Sequence, residues 1–342
     1  MNAPSLVSGP FTDDFFPFSL TRSVADMRCG ILTIREKWNV YLKNKPPLPG
    51  SVSIPANIIP DPGIVGAVFL PNPELSFAQS TRLLQLADIL RLNASEIKND
   101  FQLITAGRQS APISPTNKLS GTDIFLEPGA VAEYCYLNAV DGPVYIGKNA
   151  LVMEGSMIRG PFAAGEKTVV KMGAKIYGAT SAGPFCVLGG EIKNSVIFGY
   201  SNKAHDGYLG DSVIGEWCNI GAGSSNSNVK NSGGTVKQWN PLRKTFVEVG
   251  LKGGLIMGDY SRTSINTSFN TGTVVGVCCH VFGNGPTPTY LPSFSWGFHN
   301  EVYAFDKAMQ HISKWKKMKD RELVPDEIKK LKSIFDQQNQ LT

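Results

Sequence analysis

Aliphatic residues recur every six positions through the middle of this chain. That spacing fits neither the 3.6-residue turn of an α-helix nor the alternation of a β-strand. Ile146, Val152 and Ile158 set the first run, and Val170, Ile176, Ala182 and Leu188 carry it on. After a two-residue slip it resumes at Val196, Asn202, Tyr208, Ile214 and Ile220, and a third run joins Met257, Thr263, Phe269, Val275 and Val281. The period predicts a coil whose turns have three short flat faces, each sending one side chain inward to stack on its counterpart one turn away. Glycines and small residues make the corners, where the backbone tolerates positive φ. The fold class is therefore mainly β, a parallel β-helix spanning 121–296.

The flanks carry a different pattern. Helical spacing predicts one short helix over Ile31–Trp38 and a clearer one over Ala78–Leu92, where Leu83, Leu84, Leu86, Ala87 and Leu90 fall near one face. Between them the proline-rich stretch Pro46–Pro73 must be extended or looped. Residues 1–105 read as a small α/β section and 106–120 as a linker. Residues 230–250 break the six-residue period and are expected to leave a corner as a loop. In the last part, 297–342, Val302, Phe305, Ala308, Met309, Ile312 and Trp315 predict a helix over Val302–Lys319, and Pro325 followed by Asp326 and Glu327 starts another. These helices are expected to cap the last turn or to pack on a neighbouring subunit, since a solenoid end is an open edge.

Composition narrows the class. The 35 glycines among 342 residues exceed the usual share of about 7%, but without a three-residue period they exclude collagen. No apolar run reaches the length of a membrane span. The six cysteines form no CxxC pair, which favours reduced thiols over a zinc ribbon or a disulfide scaffold. The first 16 residues hold no basic segment ahead of an apolar one, so the expected location is cytoplasmic. A net charge of +5 with no dense basic run before the C-terminal tail suits anionic small molecules; neither nucleic acid nor membrane is expected as a partner.

The most specific words lie in KNSVIFGYSNKAHDGYLGDSVIGEWCNIGAGSSNSN, residues 193–228. This segment, with GAKIYGATSAGPFCVLGGEIKNS, SFNTGTVVGV and the early TRSVADMRCGILTIREKW, resembles the bifunctional UDP-N-acetylglucosamine diphosphorylase/glucosamine-1-phosphate N-acetyltransferases, in an alternative bacterial branch with a reduced nucleotidyltransferase section. The resemblance is strong from about Thr122 to Trp296. It implies a left-handed coil, a homotrimer with sites in grooves between subunits, acetyl-CoA as co-substrate and an amino-sugar 1-phosphate as acceptor, feeding UDP-N-acetylglucosamine synthesis.

Acetyl transfer to an amine needs a base, cations for the sugar phosphate and donors for the oxyanion. His205 matches the family's catalytic histidine, and histidine titrates near neutrality. Lys193 matches a lysine that contacts the sugar phosphate; twelve residues before His205, it is expected on an adjacent face of the same groove. Lys175, a full coil earlier, is expected to stack beside Lys193, where the family has arginine; lysine keeps the charge and loses the fork. By resemblance Tyr208 and Asn219 would bind the sugar, Asn228 would line the acceptor or acyl pocket, and Ala222 and Gly223 would let the pantetheine arm approach the backbone. The family's aromatic residue after Asn228 is Val229 here, and its next lysine has only Lys237 as a weak counterpart.

In the front section Pro17, Thr21, Arg22 and Arg28 look like the remnant of a nucleotide-phosphate segment. SLVSGPFTDDFF replaces the usual G-x-G-T-R loop, which cradles phosphates through backbone amides, and no carboxylate pair suggests itself for magnesium. Magnesium is expected only if that section is active. Two other readings remain: a sugar-1-phosphate nucleotidyltransferase, and a non-catalytic trimeric scaffold. A zinc enzyme would need about three histidine ligands, and only His205 and His280 lie in the coils; no metal is assigned.

Overall fold

A computed structural model describes residues 5–46, 52–70, 72–299 and 301–341. Three parallel ladders form the solenoid. The broad face has nine strands, from Ile124–Leu126 to Tyr290–Leu291. The open face has six, from Lys118–Ser120 to Tyr208–Gly210. The third face has five, from Val131–Ala132 to Asn202–Lys203. It continues through bridges at Asn219 to Arg262–Thr263 and His280–Val281. The stretch read as a linker already takes part in the coil: Ala111 N–H donates to Leu126 and Lys118–Ser120 pairs with Tyr136–Asn138.

One side chain per face points inward, as the period predicts. Ile146, Val152, Ile158, Val170, Ile176 and Leu188 are buried in one continuous column, and Met257, Phe269, Val275 and Val281 extend it. In the middle run the register differs by one residue. Ala182 pairs with Ile197 and Leu188 with Lys203, so the inward residues are Ile192, Ile197, Lys203 and Leu209, and not Val196, Asn202 and Tyr208. The cause is two short corners in succession: Gly189 and Gly190, the second at φ +69°, and then Asn194, at φ +44°, each turn the chain in fewer residues. Val196 is buried all the same, because its outward face lies under the N-terminal section with Phe198, Val213, Ile256 and Val274.

That section covers the broad face. Helix α1 (Ile34–Leu42) starts later than the spacing suggests, because Thr33 and Glu36 form a reciprocal capping box. Two short helices follow, α2 (Pro62–Ala67) and α3 (Glu74–Phe77). Helix α4 runs over Ala87–Thr105, well beyond the expected Ala78–Leu92. Its Asp88 carboxylate takes the N–H groups of Leu84 and Gln85, which holds the preceding leucines outside the helix. Leu83 is buried from the segment ahead of the helix and Leu86 from the turn at its N-cap, while Leu84 is exposed. Ile97 and Phe101 pack on Phe125, Tyr145 and Ala163 of the coil.

Asn93 ties three parts together: its Oδ1 accepts from Gly30 N–H at 2.8 Å and Ser181 Oγ at 3.1 Å, and its Nδ2 donates to Ala179 O at 2.7 Å. Gly30, at φ +93°, sits so close to α4 that a Cβ would meet Glu96 O at 2.8 Å. The interruption at 230–250 is an antiparallel hairpin, Val236–Asn240 with Thr245–Gly250. It grips the front section through Asn240 to Asp13 O and Arg243 to Asp14.

One corner of the coil is a ladder of aromatic rings rather than glycines. Phe185, Tyr200, Trp217, Tyr260 and Phe294 all have φ near +60°. Tyr200 stacks on Phe185 at 5.0 Å and on Trp217 at 4.3 Å. Left-handed backbone at a bulky residue costs about 1–2 kcal/mol, and ring stacking offsets about as much. Helices α5 (Phe305–Lys317) and α6 (Pro325–Leu341) seat on this corner: Ala308, Met309, Ile312, Leu331 and Ile334 bury against Trp217, Tyr260 and Phe294. The C-terminal helices therefore pack along this chain's own coil.

Candidate functional site

The broad face is covered by the front section and the aromatic corner by the C-terminal helices, whereas the open face presents Tyr136 and Met157, both exposed. Along it lies a depression of about 520 Å³ lined by Tyr136, Met157, Arg159, Lys175, Tyr177 and Glu191. At its far end the last strand of the face, Tyr208–Gly210, meets a polar cluster. Asn228 Nδ2 donates to Asp211 Oδ2 at 2.5 Å and to the Tyr208 hydroxyl at 3.1 Å, and Asn194 Nδ2 donates to Asp211 Oδ1 at 2.7 Å. Burial and the Asp211 charge raise the Tyr208 pKa, so Tyr208 is a neutral hydroxyl at neutral pH.

Lys193 belongs to the neighbouring strand, in register with Gly210 and Tyr177, and its Nζ lies 5.7 Å from the Tyr177 ring centre. Lys175 does not stack on Lys193. The shortened coil puts it opposite Glu191, whose carboxylate accepts from the Tyr177 hydroxyl at 2.6 Å and is the main cause that raises the Tyr177 pKa to about 12.

His205 is exposed on the corner between the third and open faces. The corner one turn on, Ala222–Gly223, lies against it: Gly223 N–H donates to Asp206 O at 3.0 Å. Gly223 has φ +73°, and Asn266 Oδ1 stands 2.0 Å from where a Cβ would be, so the close approach requires glycine there. Asn219 lies apart from Tyr208, on the third face, where its Oδ1 accepts from Asn202 Nδ2 at 3.2 Å. One chain thus gathers Lys193, Tyr208 and Asn228 on the open face, with His205, Ala222 and Gly223 at its edge. Lys175 is set one strand back and Asn219 points elsewhere. Asn194, Glu191 and Tyr177 complete the cluster, and only the ladder register reveals them.

Lys203 is the residue the period hides. It occupies an inward position of the coil, 2% exposed, and its ammonium donates to Gly189 O at 3.3 Å and to the His205 carbonyl. Burial pulls its pKa down to about 8, against a weaker upward pull from the Asp206 charge. Below the unfolded lysine value the unfolded chain binds more protons at this site, so its contribution to stability rises with pH. Relative to Lys203→Met, the parent chain is expected to gain about 2 kcal/mol between pH 7 and pH 9.5. Urea unfolding of both proteins across that range checks this; a flat difference would show the ammonium to be solvated.

The basic residues of the front section serve the fold. Arg22 pairs with Asp259 and with Glu216, the latter at 3.0 Å, and Thr21 Oγ1 donates to Asp259 at 2.6 Å. Arg28 is buried and donates to Ile31 O. No group of three or more potential metal ligands occurs among the described residues. All six cysteines are free and buried, and among the described residues no helix is long and apolar enough to cross a membrane.

Fold and site together define the class: a β-solenoid of stacked six-residue turns bearing a polar cleft at one corner, with a small front section docked on its side. The family described as "Sugar nucleotidyl transferase" matches residues 5–68. The chain is 37% identical over 91 residues to the "Bifunctional protein GlmU" of Methanocaldococcus jannaschii, a stretch that covers 27% of this chain and 22% of that protein. It is 35% identical over 92 residues to the "Bifunctional sugar-1-phosphate nucleotidylyltransferase/acetyltransferase" of Sulfurisphaera tokodaii, covering 27% of this chain and 23% of that protein. A "Bifunctional protein GlmU" of Methanococcus aeolicus matches at 35% over 86 residues, 25% of this chain and 20% of that protein. The chain thus spans about a fifth of the length of the curated relatives it matches. It is similar to these bifunctional proteins and to sugar nucleotidyl transferases.

Proposed function

We propose that this chain is an acetyl-CoA-dependent N-acetyltransferase acting on an amino-sugar 1-phosphate of the glucosamine 1-phosphate kind, in the cytoplasm, feeding UDP-N-acetylglucosamine synthesis. The observation that carries the reading is the Tyr208–Asn228–Asp211 cluster beside Lys193, with His205 on the corner that leads into Tyr208 and the Gly223 corner one turn on. Lys193 would hold the phosphate, and Tyr208 and Asn228 the sugar. The acceptor nitrogen attacks the thioester carbonyl, the C–S bond breaks, and the thiolate leaves as coenzyme A. His205 takes the proton that the nitrogen loses. The pantetheine arm would approach the backbone at the Ala222–Gly223 corner.

The same reading includes assembly as a homotrimer. The exposed Tyr136 and Met157 of the open face call for a cover, and Asn219, on the third face, would reach an open-face cleft only from a second copy. The alternative, sugar-1-phosphate nucleotidyl transfer, has the match over 5–68 in its favour. Against it, Arg22 and Arg28 are already engaged by protein groups. Magnesium would belong to that activity alone.

Release of coenzyme A thiol, followed with a disulfide dye, tests the proposal: turnover is expected with acetyl-CoA plus glucosamine 1-phosphate. Pyrophosphate release from UTP and a sugar 1-phosphate in place of that turnover would reverse the ranking. Lys193→Ala is expected to raise the KM for the sugar phosphate by about tenfold or more, the size of one lost charge-assisted bond, with the KM for acetyl-CoA within about twofold. Equal rises in both would move the phosphate away from Lys193.

A further inference from the structure

Between the third face and α5 lies a second cavity, of about 340 Å³, lined by Arg262, His280, Tyr303, His311, Lys314 and Trp315. Arg262 leaves the coil next to its in-register partner His280, and its guanidinium carbon lies 5.1 Å from the Trp315 ring centre. Its Nε and Nη2 are shut off from solvent and have no hydrogen-bond partner. The charges that act on His280 and His311 here are all cationic, from Arg262, Lys307 and Lys314.

Other buried ammonium and guanidinium groups among the described residues have protein partners: Lys203 has the Gly189 and His205 carbonyls. Arg22 has Asp259 and Glu216, Lys37 has Glu96 and Asp100, and Lys316 has Glu327. A guanidinium removed from water is costly unless an anion compensates it. Here an imidazole pair, an ammonium and the Tyr303 hydroxyl surround the same space, and among the described residues no carboxylate pairs with Arg262. Burial accordingly lowers the Arg262 pKa, and His280 and His311 are lowered by burial and by their cationic neighbours. The missing component is negative charge.

We propose that this cavity is a binding site for a phosphorylated ligand, whose phosphoryl oxygens accept from Arg262 and Lys314 and from the imidazole and phenol donors around them. A guanidinium with several flanking donors suits the multiple oxygens of a phosphoryl group better than a single carboxylate. Asn219 also lines the cavity, but Arg262 and Lys314 have no part in the chemistry assigned to His205, so the proposal holds whether or not that corner transfers acetyl groups.

The test is calorimetric titration of the full-length chain with pyrophosphate and inorganic phosphate, and with acetate as the carboxylate control, at constant ionic strength. Saturable binding of pyrophosphate or phosphate is expected, weakened by about tenfold or more in Arg262→Gln and less in Lys314→Gln, a change at an exposed side chain that cannot unfold the coil. Without ligand, Arg262→Gln is expected to melt no lower than the parent, because the substitution removes an uncompensated charge. Equal affinity for acetate would overturn the phosphoryl assignment, as would binding indifferent to both substitutions. Loss of oligomer in Arg262→Gln with no phosphate dependence would overturn it too, and would make an acidic side chain of a second copy the occupant.

Discussion

Lys37→Met is expected to lower the stability of the protein by about 3–5 kcal/mol, the cost of leaving a buried charge without its partner. Lys37 is 1% exposed between α1 and α4. Its ammonium donates to Glu96 at 2.8 Å and to Asp100, and Asp100 also takes the N–H groups of Ile31 and Leu32 at 2.8 and 3.0 Å. Burial pulls the Lys37 pKa down, but the two carboxylates outweigh it and raise it. Burial pushes the Asp100 carboxyl up to about 6, against the pull of Lys37. Methionine fills the space and removes the one cation that two buried carboxylates share. The sign follows from Asp100: without the ammonium its pKa climbs further, so protonation relieves the site as pH falls. The deficit of Lys37→Met should therefore be largest near pH 8 and smaller near pH 5. Urea unfolding at the two pH values reads both points, and a loss under about 1 kcal/mol at pH 8 would show that the site relaxes to admit water. The same triad holds the turn at Gly30 against α4, and Asn93 passes that contact on to the coil.

The coil was legible in the sequence because its core is one stacked side chain per face, and stacking demands a repeat. The repeat reads true wherever the corners have equal length, as from Ile146 to Leu188. It loses two residues at the Gly189–Gly190 corner and one more at Asn194, and the slip decides chemistry: Lys203 goes inward, Val196 and Tyr208 turn outward, and Lys175 meets Glu191 in place of Lys193. A hexad count cannot contain this, since the period carries no information on the tightness of a single turn. The flanking helices were legible in kind but not in extent. The leucines of 83–90 have helical spacing, yet Asp88 caps the backbone ahead of α4, and an apolar side chain is buried equally well from a turn outside the helix. The motif words of 193–228 located the open-face cluster; what they could not supply was which face each residue leaves from, and Asn219 is the case where that matters.

His205→Ala is expected to reduce acetyl transfer by about 10²–10⁴, the usual range for removal of a positioned proton acceptor, while oligomer size and unfolding midpoint stay those of the parent. The structural side of the prediction follows from exposure: His205 stands on a corner whose backbone, not its ring, is engaged, through the Lys203 ammonium on its carbonyl and the Gly223 N–H on the next residue. Truncating the ring therefore leaves the corner in place. The chemical side follows from the acceptor nitrogen, which must shed a proton as the C–N bond forms. Loss of the base should appear in kcat with both KM values within about threefold, since the ring is assigned no binding contact. Added imidazole should restore part of the rate in His205→Ala and none in the parent, a rescue that a merely structural histidine would not show. Unchanged turnover in His205→Ala would remove the histidine from the mechanism and leave the Tyr208–Asn228–Asp211 cluster as a binding site without an assigned base.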